Sequence, residues 1–131
     1  MSTVRVIVIQ TMSDAAQFAR EALIANGLVE KRDFVVSDGD GHYQFPEDEI
    51  VSGRPQLLVT GTFNGNGLAA NRFVAKMKER NPNLQAWFYG SMMIYLQENN
   101  FDRMLSEPNF TGFGPERAAA LAEEVVKFLN Q

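Results

Sequence analysis

Val4-Arg5-Val6-Ile7-Val8-Ile9 is β-branched almost throughout and too short to form a helix of its own, so it reads as a buried strand covered on both faces. The residues after it switch to a helical period. Asp14, or Ser13 before it, can cap a helix over 14–26, with Gln17 placed to complete a capping box. Phe18, Ala22 and Ala25 recur at helical spacing before Asn26-Gly27 ends the pattern. A second short strand spans 33–36. After the turn cluster Ser37-Asp38-Gly39-Asp40-Gly41 comes a stunted helix, Pro46 to Ile50, opened by its proline.

Pro55 leads into a third strand, Leu57 to Thr60, and Ala70, Phe73, Val74 and Met77 then make an i, i+3, i+4, i+7 stripe closed by Asn81-Pro82. Ala86-Trp87-Phe88-Tyr89 is an aromatic fourth strand ending at Gly90-Ser91. Met93 to Leu105 has helical content, with Glu98-Asn99-Asn100 as its point of interruption, and Asn109 to Gly114 reads as a short fifth strand. Pro115 then opens a helix carrying Ala118, Leu121, Val125, Phe128 and Leu129 on one side. Glu116, Arg117, Glu123, Glu124 and Lys127 are assigned to its solvated side. Strand and helix alternating through short loops predict an α/β doubly wound sheet in one domain over 1–131. The predicted architecture is flavodoxin-like: five parallel strands in the order 2-1-3-4-5, helices on both faces, and a crevice beyond the carboxyl ends of the strands.

Composition removes several functions from consideration. The 131 residues hold sixteen acids against twelve bases, a net charge of -4, which disfavours broad attraction to nucleic acid or anionic lipid. With no cysteine and a single histidine, there is no thiolate nucleophile and no Cys- or His-rich metal cluster. The amino terminus is neither a signal peptide nor a membrane span, so a soluble, cytoplasmic protein is expected.

Four short stretches, in order along the chain, carry a resemblance: Asp38-Gly39 after strand two, GRPQLLV at 53–59, MKERNPNL at 77–84, and Gly114-Pro115. Across essentially its whole length the chain resembles the receiver domain of bacterial response regulators. That resemblance implies a fold of the kind already predicted, and transfer of a phosphoryl group from a kinase histidine to an aspartate beside a divalent ion. Residue by residue, the chemistry does not carry over. Gln10 and Thr11 stand in place of the family's acidic pair, and an amide and a hydroxyl are weak ligands for a hard cation. Gly61, or Thr60 one place earlier, occupies the aspartate position. Glycine has no nucleophile, and threonine needs an activating base. Gly114 stands where the lysine would neutralise the phosphoryl charge, and only Ser91, or its neighbour Gly90, approximates the family's strand-four residue. The chain therefore reads as a degenerate receiver, not an enzyme, with neither cofactor nor metal.

Two functional readings remain. The first is a signalling module that binds another protein or a second copy of itself, through Met93, Tyr95 and Phe101 in the fourth helical region and the neighbouring strand five and last helix. The second is a sensor that holds a small polar molecule in an uncharged crevice of Thr11, Thr62 and Ser91. Other patterns are weaker. Asp38, Asp40 and Glu49 fall at ligand places of a calcium-loop frame, but Tyr43 stands where the frame needs glycine. Asn64-Gly65-Asn66-Gly67 suits a turn better than an anion nest and matches no P-loop. A hydrolase built on Ser91 or Thr60 lacks a base, since His42 lies on another loop.

Overall fold

The computed structural model describes residues 4–10, 13–37, 47–52, 55–61, 67–89, 100–105 and 114–131. Its strands are β1 (Val6–Ile9), β2 (Phe34–Ser37), β3 (Leu57–Thr60), β4 (Gln85–Phe88) and β5 (Arg103–Met104). Its helices are α1 (Ser13–Ala25), α2 (Glu47–Val51), α3 (Gly67–Arg80) and α4 (Pro115–Leu129). All strand pairs are parallel, in the order β2-β1-β3-β4-β5. The predicted flavodoxin-like architecture is therefore the observed one.

Period-two alternation sorts each covered strand onto two helix layers. Ile7, Ile9, Leu58, Ala86 and Phe88 pack on Ile50 of α2 and on Ala70, Phe73, Val74 and Met77 of α3. Val6, Val8, Leu57, Val59, Trp87 and Tyr89 face Ala19 and Leu23 of α1 and Leu121, Ala122 and Val125 of α4. The three consecutive aromatics of β4 are thus core residues, divided between the layers. No described helix is long and apolar enough to cross a membrane.

Helix ends follow local chemistry. α1 stops where Gly27, at φ 91, turns the chain so that its N–H reaches Ile24 O and the Leu28 N–H reaches Leu23 O. This is the left-handed stop that Asn-Gly predicts. The capping box is not formed: the Gln17 amide donates to Glu21 at 3.1 Å and its oxygen accepts from Arg20 at 2.9 Å. Beyond α3, Asn81 is buried, and its amide donates to the carbonyls of Ile50 and Pro55, both at 3.0 Å. One side chain thereby ties the end of α3 to α2 and to the entrance of β3. Asn81→Ala leaves two buried carbonyls without this donor and should cost about 2 kcal/mol, read as a lower urea midpoint at unchanged slope.

The carboxyl-terminal third departs from expectation. Residues 100–105 are not the end of a helix: Asp102 N–H donates to Ala86 O and Leu105 N–H to Phe88 O, each at 2.7 Å, which extends the ladder along β4. The Asp102 carboxylate also accepts the Ala86 N–H at 2.8 Å and pairs with Lys78 at 2.7 Å, holding the segment to the sheet edge. Strand five is accordingly Arg103–Met104, ahead of the Asn109–Gly114 stretch expected to form it. Of that stretch, only Gly114 lies within the described residues. Gly114 is the extended residue preceding α4, with Pro115 in the first turn.

Candidate functional site

In a sheet of this order the crevice opens beyond the carboxyl ends of the strands. The pairings Ile9 with Thr60 and Thr60 with Phe88 bring the next residues, Gln10, Gly61 and Tyr89, into one row. Gln10 is buried, and its amide Nε2 donates to the Tyr89 carbonyl at 3.3 Å. A Cβ on Gly61 would stand 2.9 Å from that same carbonyl oxygen and 3.6 Å from the Gln10 amide nitrogen. The Tyr89 carbonyl thus occupies the volume a side chain at position 61 would need, with the Gln10 amide in ordinary contact beside it. The Tyr89 backbone on the amino side of that carbonyl is tied to β3, because the Tyr89 N–H donates to Thr60 O at 3.0 Å.

Thr60 is fully buried, and its hydroxyl donates to the Gly61 carbonyl at 3.2 Å. A hydroxyl enclosed and engaged in this way is badly placed to act as a nucleophile. Among the described residues no group of three His, Asp or Glu side chains converges as metal ligands would. Gln10, Thr60, Gly61 and the Tyr89 carbonyl thus form a neutral, hydrogen-bonded plug among the described residues.

A second cluster adjoins it on the α4 side. Arg117, assigned from sequence to the solvated side of the last helix, is 6% exposed, with its guanidinium 4.8 Å from the centre of the Tyr89 ring. Its Nη2 donates to Leu105 O at 3.1 Å, which ties α4 to the end of β5. Burial pushes the Arg117 guanidinium below its usual range and the Tyr89 phenol above its own, while each partly offsets the shift of the other. A spacing cue was present, since Arg117 lies one turn before Leu121 on the apolar stripe. Farther along the same edge, Arg103 lies 5.1 Å over Trp87 and pairs with Glu124 at 3.1 Å. Arg103 holds the Glu124 carboxyl below the usual carboxylate range.

Of the residues singled out from sequence, Gln10, Thr60 and Gly61 come together at the strand ends. Gly114 stands immediately before α4, beyond the end of β5 in the sequence. Phe101, assigned to the interface, is instead a core residue: it is 8% exposed and meets Phe88 edge-on at 5.3 Å. Thr11, Thr62, Ser91, Met93 and Tyr95 lie outside the described residues, as do the calcium-loop frame except Glu49 and the Asn64–Asn66 turn. No family model, curated protein or solved structure matches the chain.

Proposed function

We propose that this protein is a pseudo-receiver: a module that binds another signalling protein, or a second copy of itself, without phosphoryl chemistry. One observation carries the reading. The place of the phosphorylated aspartate is a glycine whose side-chain volume is taken by the Tyr89 carbonyl, with the Gln10 amide beside it, so the site is closed as well as lacking its acid. With no room for a side chain at position 61, the reading moves function to the surface. The edge formed by β5 and α4 suits that role. A groove of about 350 Å³ there is lined by Asp102, Arg103, Glu124 and Lys127 together with Trp87 and Phe128. Alternating charges over aromatic rings give a partner both direction and contact area.

Incubation with acetyl phosphate and Mg²⁺ should leave the intact mass unchanged. A gain of one phosphoryl group that disappears on altering Thr60 would overturn the reading. For the binding half, Lys127→Glu changes an exposed side chain and should leave the melting temperature within a degree or so. The same variant should weaken capture of the partner, or self-association measured by sedimentation.

A further inference from the structure

At the far side of the sheet from β5, β2 has β1 as its one strand neighbour among the described residues. Val6 N–H donates to Asp33 O at 3.2 Å and Gln10 N–H to Ser37 O at 2.9 Å, so the carbonyls of Asp33 and Ser37 face β1. A strand's hydrogen-bonding groups change sides residue by residue, which turns the carbonyls of Phe34 and Val36 to the open side. Left bare, an edge of this kind, with β-branched Val35 and Val36 half-buried along it, is a template for adding another strand.

Both outward carbonyls are already taken. Phe34 O accepts the Lys31 N–H at 2.7 Å, and Glu30 makes a one-residue parallel bridge with Phe34, so this turn stands where a further strand would begin. Val36 O accepts from Arg20 Nη2 at 3.4 Å. The same guanidinium holds the turn in place: its Nε donates to the two Glu30 carboxylate oxygens at 2.7 and 3.1 Å, and its Nη1 to Gln17 at 2.9 Å. Asp33 fixes the turn from its other end, its carboxylate accepting the Val29 N–H at 2.7 Å and its own N–H donating to Val29 O at 2.8 Å.

Lys31 shows that the turn is imposed by these bonds. At φ 71 it is the single non-glycine residue with positive φ among the described residues, a conformation that a lysine keeps only where its surroundings over-determine it. An exposed lysine beside an edge also disfavours an incoming strand.

We infer that Arg20, Glu30 and the Lys31 turn form a clasp that shuts the β2 edge against the β2 strand of a second copy. A second copy is the occupant because two β2 edges related by a twofold axis run antiparallel and offer each other the same Phe34 and Val36 groups, donors and acceptors from both sides. The clasp is separate from the β5–α4 edge proposed above for partner binding, and it closes the opposite side of the sheet to association.

Sedimentation velocity on the full chain tests this, with every protein carrying Lys127→Glu so that the β5–α4 edge does not contribute. Arg20→Met keeps the apolar stem but frees Val36 O and Glu30, and Glu30→Lys drives the turn from Arg20 by like charge. Each should associate at concentrations at least about tenfold lower than the clasped chain, the gain of one or two interchain hydrogen bonds. Unfolding is a different route to association, and Val36→Pro separates the two. Position 36 turns its N–H outward, so proline there costs the β1–β2 ladder no bond and removes an edge donor. Val36→Lys keeps the N–H and adds a charge to the edge. Added to either clasp variant, each should restore the sedimentation of the clasped chain, whereas association through unfolding would persist or grow. The proposal is overturned if both clasp variants sediment as the clasped chain does at every concentration, or if association survives both Val36→Pro and Val36→Lys.

Discussion

Replacing Phe101 by alanine should cost this protein about 3–5 kcal/mol, the range for truncating a buried aromatic side chain. The ring is 8% exposed, meets Phe88 edge-on at 5.3 Å, and belongs to the core layer that α2 and α3 cover. Its loss opens a void at the point where the chain re-enters the sheet. Next to it, Asp102 is held by Lys78 and by the Ala86 N–H, so the backbone cannot collapse freely to refill the space. A marginally stable domain would lose a large part of its stability. The measurement is a chemical-denaturation curve for Phe101→Ala beside one for Phe101→Leu, which retains most of the volume and should lose less than half as much. A midpoint unchanged within error for Phe101→Ala would return this residue to the surface. The result also bears on binding assays: lost capture by Phe101→Ala would report unfolding, whereas lost capture by Lys127→Glu would report the edge itself.

Much of this fold was legible because its signals are local. The apolar runs of β1, β3 and β4 can only be covered strands, and the stripes of α3 and α4 can only be helices packed on one side. Strand β5 was not legible. It is two residues long, Arg103 and Met104, with no apolar run and no alternation long enough to detect. Its strand character comes from tertiary partners, the Asp102 carboxylate on Ala86 and Lys78 and the Phe101 ring on Phe88. Helical content before it therefore extended the expected helix through it, and the missing strand was assigned to the Asn109–Gly114 stretch. Arg117 was hidden for a related reason. Charge assigned it to solvent, while the shape of the α4 corner folded it over Tyr89. At the strand ends the sequence shows a glycine but not what lies against it, since the neighbouring atom is a carbonyl from the end of β4.

That contact makes Gly61→Asp an informative test of the proposed pseudo-receiver reading. In a receiver the aspartate would restore the nucleophile; here its Cβ alone would stand 2.9 Å from the Tyr89 carbonyl oxygen. The difficulty is space, and relief requires the Tyr89 carbonyl to shift, which disturbs the bond it accepts from the Gln10 amide at 3.3 Å. Overpacking of this kind costs about 1–3 kcal/mol, and enclosing a carboxylate beside a carbonyl that repels it costs about as much again or more. We expect Gly61→Asp to lose at least about 3 kcal/mol, Gly61→Ala to lose the steric part alone, and neither to accept a phosphoryl group from acetyl phosphate. The charge penalty has a signature. The aspartate's folded pKa is raised above its unfolded value, so the variant is least destabilised below the unfolded value and becomes progressively less stable as pH rises toward neutrality. Thermal unfolding of both variants between about pH 4 and pH 7 separates the two contributions, since Gly61→Ala should track the parent at a constant offset. A stable Gly61→Asp protein that gained a phosphoryl group would show that the Tyr89 carbonyl yields readily, and that the acid alone was missing.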